Sequence, residues 1–397
     1  MSDLARVLLA PGRDGPVRGG HPWLFSGAVA SVTGDPEDGD EVDVVGADGS
    51  FVARGLYNAL SQIRVRLYAW EPVALDDAFF ARRIADAVRL RTDSLGLDDA
   101  DGACRLVFSE GDGLSGFTVD RYGPWLSVQL TSLALARRRD ALVDAACAAV
   151  PCAGVVLRTE KGVLQEEGLE LRDGVLRGTL PEEPVTVREG ALVFEVDLRT
   201  GQKTGFYLDQ RENRARAAAY ARGRTVADVC CYTGGFGVAL AAAGAERVVG
   251  VDTSRPALAL AGRNADRNGV AGRMDFVRAD AFGWLEAEGA AGRRYGMIVL
   301  DPPRFARTRR GVRQAIRAYE RLNALALRCL EADGILVTCS CSGRVPAEGF
   351  TRAVAAAAVA AGRRVQILER GGQAPDHPVA TACPESEYLK CLVCRVT

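Results

Sequence analysis

The chain has 397 residues, 48% hydrophobic and 25% charged, with a net charge of −1. That length exceeds one ordinary core and points to two or three domains, and the composition excludes a disordered or collagen-like chain. No apolar run approaches the ~18 to 20 residues that span a bilayer, and Met1-Ser2-Asp3-Leu4-Ala5-Arg6 lacks a basic head and apolar stretch, so a cytoplasmic location without membrane contact is expected.

The eleven cysteines show no disulfide-framework spacing, and a chain of this size in a reducing compartment needs none. Cys391-Leu392-Val393-Cys394 has the spacing of half a zinc site. It lies in an apolar, strand-like run with no second pair after it, so buried core cysteines are expected there and no metal.

In chain order, residues 1–72 carry short alternating runs separated by Gly and Asp. Glu41 to Val45, Phe51 to Tyr57 and Ile63 to Tyr68 alternate as half-buried strands do, which predicts a small β-rich barrel. From Asp76 the pattern turns helical: Phe80, Ile84, Ala87 and Val88 share one face, with Arg82, Arg83 and Arg89 off it. Strand candidates follow at Arg105 to Phe108, Phe117 to Asp120, Trp125 to Leu130 and Val155 to Leu157, with a helix from Leu135 to Val150 among them. Residues 73–185 thus read as a middle α+β domain without a catalytic constellation, ending in a linker at Pro181 to Pro184.

Residues 186–397 alternate strand and helix. Val226 to Cys230, Val248 to Val251, Asp275 to Val277, Met297 to Leu300 and Ile335 to Cys339 are apolar runs a helix-length apart. This is the pattern of a parallel, Rossmann-like α/β sheet covered on both faces. Ligands of such sheets bind beyond the carboxyl ends of the strands, and three motifs lie there. They are Cys231-Tyr232-Thr233-Gly234-Gly235-Phe236-Gly237, Asp301-Pro302-Pro303-Arg304 and Ser340-Cys341-Ser342-Gly343.

The first motif is a Gly-rich strand-to-helix turn with neither the dinucleotide fingerprint nor the Gly-Lys-Ser/Thr of a phosphate loop. It brings Tyr232, Thr233, Gly234, Gly235 and Phe236 close to a small ligand without a pyrophosphate cradle. Asp252 ends the next strand, where an acid accepts ribose hydroxyls, and Asp280-Ala281 ends the third, placed for an adenine amino group. S-Adenosyl-L-methionine fits this set best. Lys203 and Thr204, in a Gly-flanked turn, are expected to line the cofactor or target pocket, whereas Asp209 and Glu212 read as a capping box.

These residues resemble the bacterial 23S rRNA cytosine-C5 methyltransferases of the large-subunit methyltransferase I type. The likeness spans nearly the whole chain. It includes His21-Pro22-Trp23-Leu24-Phe25, the Gln202 to Arg211 stretch, Val251-Asp252-Thr253-Ser254, Asp376-His377-Pro378 and Tyr388-Leu389-Lys390 beside the three motifs. The resemblance implies an N-terminal RNA-binding PUA domain, a middle α+β domain and a C-terminal class I methyltransferase domain that uses S-adenosyl-L-methionine. It also implies 23S rRNA as substrate, before or during subunit assembly, and leaves a homodimer open.

Carbon 5 of cytosine is a poor nucleophile until a thiolate adds to carbon 6. On the resemblance, Cys341 is the expected nucleophile, with Cys339 as the rival, and Asp301 is the acid at N3. Asp376, His377 and Glu385 are candidate bases, while His21 is expected to pack near Trp23. Arg304, Arg307, Arg309, Arg310 and Arg313 follow the Asp-Pro-Pro motif with no intervening acid and are expected to contact RNA phosphates. Arg304 stands where Lys is familiar in the resembled enzymes, and Asp-Pro-Pro-Arg is similar to RNA uridine-C5 methyltransferases. The alternatives are therefore uracil as the target, amine or ring-nitrogen methylation without a covalent adduct, and an inactive RNA-binding module.

Overall fold

A computed structural model describes residues 4–159, 161–306 and 311–397. They fall into two compact units. The first runs through Val187 and adds Val196–Leu208 and Pro375–Ser386; the second is Arg188–Glu195, Asp209–Ala374 and Glu387–Thr397.

The first unit contains two sheets. In the first, β1 (Ala5–Leu9), β2 (Trp23–Phe25), β3 (Val29–Thr33), β4 (Glu41–Val45), β5 (Phe51–Tyr57) and β6 (Ile63–Ala69) lie in the order β2-β6-β5-β4-β1-β3. β1 is parallel to β4, and the other neighbours are antiparallel. The predicted alternation holds in β4: Val42 and Val44 are fully buried, while Glu41 and Asp43 face outward and pair with Arg54. The sequence pattern gave no sign of β1, β2 and β3. β2 has only three residues and β3 has no fully buried one, so neither carries an alternating signal.

The second sheet contains β7 (Ala103–Phe108), β8 (Phe117–Tyr122), β9 (Trp125–Leu130), β10 (Gly154–Leu157) and β11 (Gly174–Gly178), ordered β11-β10-β9-β8-β7. The helix Asp77–Arg89 covers it. Asp76 caps that helix by accepting the Phe79 amide at 2.7 Å, and Phe79, Phe80, Ile84, Ala87 and Val88 form its buried face. The expected helix from Leu135 to Val150 is two, Leu133–Arg137 and Arg139–Ala149, with Ser132 capping the first. A hairpin of β12 (Val185–Glu189) and β13 (Leu192–Val196) follows.

The second unit is built on one sheet of seven strands: β14 (Thr225–Val229), β15 (Arg247–Asp252), β16 (Met274–Arg278), β17 (Tyr295–Leu300), β18 (Leu330–Ser340), β19 (Val365–Gly371) and β20 (Lys390–Val396). The order is β16-β15-β14-β17-β18-β20-β19, with only β20 antiparallel to its neighbours. The chain winds outward in both directions from the β14–β17 junction, and a ligand crevice opens at such a reversal. β17 is buried along its whole length, as a strand covered on both faces must be. Cys391 and Cys394 are both buried in β20, as expected. Three residues apart on a strand, they point to opposite faces and do not share an ion.

Candidate active site

β14, β15 and β17 end in register, with Val229 opposite both Val251 and Leu300. Cys230, Asp252 and Asp301 therefore emerge together at one sheet edge. The turn after β14 is unusual: Cys230 (φ +66°), Tyr232 (φ +50°) and Gly234 (φ +80°) are all left-handed. Non-glycine residues in that region cost on the order of 1 kcal/mol or more each and persist only where surroundings hold them. Here the Cys230 and Cys231 amides donate to the Val251 carbonyl at 2.8 and 3.0 Å. The Tyr232 amide donates to Asp252 at 2.9 Å. At Gly234 a Cβ would stand 3.1 Å from that of Ala261, in addition to the φ requirement. Asn264, from the helix Arg255–Arg267, pins the loop by donating to the Thr233 carbonyl at 2.9 Å.

The strand-end acids have distinct duties. Asp252 accepts the Tyr232 amide on one oxygen and the Ser254 amide, at 2.8 Å, on the other, so its carboxylate is oriented with a lone pair to spare on each. Asp280 caps the helix Ala281–Ala290 through Oδ1, which takes the Phe282 and Gly283 amides at 3.0 Å. Sequence reading missed a further acid. Asp228, on β14, is buried and receives the Gly237 amide at 2.8 Å, while its Oδ1 has no hydrogen-bond partner among the described residues. Burial, with smaller contributions from Asp301 and Asp252, pushes its carboxyl up to about 7. A Cβ on Gly237 would come within 3.0 Å of that carboxylate, which is why the turn carries glycine there. The Thr233 hydroxyl is likewise buried without a hydrogen-bond partner among the described residues.

The acids converge. Burial first, then Asp252, Asp301, Asp228 and Asp280 together, drive the Cys230 thiol upward. A crevice ringed by carboxylates repels a pyrophosphate and suits a cofactor that carries an ammonium and a sulfonium. The orphaned Asp228 and Thr233 oxygens are the kind of groups such a cofactor satisfies.

The two rival thiols are separated by the end of β18, which stops at Ser340. Ser340 and Ser342 are buried; the Ser342 hydroxyl shares a 3.0 Å hydrogen bond with Tyr319 and accepts the Ala306 amide at 3.4 Å. Cys341, between them, is partly exposed, and its thiol donates to the Pro302 carbonyl at 3.8 Å. Cys339 is fully buried opposite Cys391 in β20. Its thiol is raised well above the ordinary range by its hydrogen bond to Cys391 and by burial. Lys390, in the Tyr388-Leu389-Lys390 stretch, starts β20. It is buried and donates to the Ser342 and Tyr388 carbonyls at 2.8 and 2.9 Å.

Comparison with known proteins gives the domains and the family. Residues 7–70 match a PUA-like domain model, and residues 162–392 match the model of an S-adenosylmethionine-dependent methyltransferase. The ribosomal RNA large subunit methyltransferase I of Aeromonas hydrophila subsp. hydrophila is 42% identical, across 98% of this chain and 99% of its own. The chain belongs to the ribosomal RNA large subunit methyltransferase I family. The Vibrio vulnificus protein of the same name is 40% identical over 99% of both chains. A solved structure described as a methyltransferase complexed with SAH shares the fold with a TM-score of 0.86 at 21% identity, covering 98% of this chain and 99% of that one. S-Adenosylmethionine is thus the cofactor of this methyltransferase I family member, on a PUA-like and Rossmann-like framework.

The other expected residues lie as follows. Lys203 and Thr204 belong to the first unit. Thr204 is fully buried, and its hydroxyl is committed to Asp120 and, at 3.0 Å, to Tyr122. That side chain is therefore a polar link inside the first unit. Lys203 is exposed, with its ammonium 4.2 Å from the centre of the Tyr207 ring. Asp209 and Glu212 do not form a capping box. A short 3-10 turn at Leu208–Gln210 shifts the N-cap to Gln210, and the Asp209 carboxylate instead accepts the Tyr388 hydroxyl.

The candidate bases are also placed. Asp376 and His377 are buried, Asp376 accepting the Arg105 amide at 3.0 Å and meeting His377 at 2.9 Å. The Asp376 carbonyl takes a 2.7 Å bond from Arg91, which is itself fully buried and paired with Asp112. These residues fasten the segment Pro375–Ser386 into the first unit. Glu385 meets His21 at 3.2 Å, near Cys383. The Trp23 amide occupies His21 Nδ1, so Nε2 carries the proton toward Glu385, a tautomer suited to a hydrogen bond rather than to metal ligation. Arg304 and Arg313 are exposed, whereas Arg307, Arg309 and Arg310 lie outside the described residues.

Proposed function

We propose that this chain forms 5-methylcytosine in large-subunit ribosomal RNA through a covalent adduct between Cys341 and carbon 6 of the base. The observation that carries the reading is the contact of the partly exposed Cys341 thiol with the Pro302 carbonyl of Asp301-Pro302-Pro303, while the rival Cys339 is sealed in the sheet. Thiolate addition at carbon 6 moves electron density to carbon 5, and Asp301 supplies a proton or hydrogen bond at N3. The cofactor, when bound, offers a methyl group on a sulfonium. Carbon 5 takes that methyl and the sulfonium leaves as a neutral thioether. A base then removes the carbon-5 proton, the carbon 5–carbon 6 double bond re-forms, Cys341 departs as the thiolate, and any proton lent at N3 returns to Asp301.

In this reading Asp252 holds the ribose hydroxyls, and Asp280 and Ala281 face the adenine. The Tyr232 to Phe236 turn gives its backbone to the methionine part. Arg304 and Arg313, with Arg307, Arg309 and Arg310, receive RNA phosphates. The names of the relatives and the PUA-like match at residues 7–70 support ribosomal RNA as the substrate.

Mass mapping of ribosomal RNA from a deletion strain tests the reading. A single 5-methylcytosine should disappear from the large-subunit RNA and return with the wild-type gene. Loss of a 5-methyluridine, or of a methylated amine or ring nitrogen, would replace cytosine C5 as the target.

A further inference from the structure

We propose that Lys390 is a positioning residue that holds Cys341 as a thiolate; its catalytic meaning rests on Cys341 being the nucleophile.

Lys390 begins β20 opposite Ser340, the last residue of β18, and so lies beside the loop that carries Cys341. It is 8% exposed. Two of its three N–H groups are spent on neutral acceptors, the Ser342 and Tyr388 carbonyls. Among the described residues no carboxylate lies within ion-pair distance of it. A buried ammonium without a counter-ion is costly, and a fold retains one mainly where an anion forms beside it. The charged and titratable groups that act on it are Cys341 and Glu387, which favour its protonated form, and Arg304, which opposes it; burial outweighs them and lowers Lys390 to about 8. Only Cys341, joined by a peptide bond to the residue whose carbonyl Lys390 grips, belongs to the proposed chemistry.

The arrangement does two things. The hydrogen bond to Ser342 fixes the Cys341 backbone, and the nearby positive charge favours the anionic form of the thiol, as cations do at reactive cysteines. Tyr319, which also lies against Cys341, is held neutral by burial, up to about 12, and so offers no charge to the thiolate, whereas Asp301, one residue before the Pro302 carbonyl that meets the thiol, carries a charge that opposes it.

The test is alkylation of the full-length protein by iodoacetamide across the range from about pH 6 to 10, with Cys341 followed by peptide mass spectrometry. Lys390→Met should move the Cys341 profile to higher pH and slow its alkylation at neutral pH on the order of tenfold. Lys390→Arg should keep most of the wild-type rate. S-Adenosylmethionine binding reports whether each variant is folded, and Lys390→Gln, which keeps an amide donor, stands in if the Met variant loses it. Superimposable Cys341 profiles in the wild type and the neutral variants would overturn the proposal. Because alkylation needs no RNA, that result is separable from a failure of Cys341 as nucleophile, which only adduct formation reads.

Discussion

The Cys341 thiol lies 3.8 Å from the Pro302 carbonyl, so the loop after β18, which carries Cys341, meets the loop after β17, which carries Asp301. Pro302 and Pro303 fix the backbone on one side, and Ser340 and Ser342, turned inward, fix it on the other. The thiol is held from both directions before any substrate arrives.

Asp228 predicts a pH dependence of stability. Its native carboxyl is raised to about 7 from an ordinary 3.8, so between those values the native state binds a proton that the unfolded chain has released. Stability should therefore fall as pH rises from about 4 to about 7, by up to about 4 kcal/mol from this group. Urea unfolding of the cofactor-free protein at several pH values checks it. Asp228→Asn should flatten that part of the curve, and an unchanged slope would refute the assignment.

Gly234→Ala forces a left-handed φ on a side chain and sets its Cβ 3.1 Å from that of Ala261. A loss of roughly 1–3 kcal/mol in stability and weaker S-adenosylmethionine binding are expected. Thermal melts and calorimetric titration measure the two.

Thr204→Val removes the hydroxyl that Asp120 and Tyr122 share inside the first unit. It should destabilise the protein by about 1–3 kcal/mol and leave the S-adenosylmethionine dissociation constant unchanged. A large rise in that constant with normal stability would return Thr204 to the cofactor pocket.

These cases mark how far sequence reading reached. The parallel sheet was legible because β14, β15, β17 and the end of β18 are apolar runs spaced by helix lengths, and the strand-end acids follow from strand ends. Asp228 was not legible: a lone acid inside a strand gives no signal until the turn folds Gly237 back onto it. The partners of Thr204 were not legible either, because only the tertiary fold brings Asp120 and Tyr122 to it, across more than eighty residues. Nothing in the sequence around Lys390 signals that antiparallel pairing sets it against Ser340.

Arg304 and Arg313 are exposed after the Asp-Pro-Pro loop and at the start of the helix Val312–Arg328. Replacing both with Ala should weaken RNA binding and reduce the log-log salt slope by about 2, if each neutralises one phosphate. Binding measured across a salt series decides it, and an unchanged slope would remove them from the RNA surface.

The most direct test of the covalent account is trapping on RNA that carries 5-fluorocytidine, with the linked peptide identified by mass spectrometry. The fluorine blocks the final proton loss, so the wild type should form a stable adduct at Cys341 that Cys341→Ala abolishes and Cys339→Ala retains. An adduct that survives Cys341→Ala, or methyl transfer with no adduct in any variant, would contradict it.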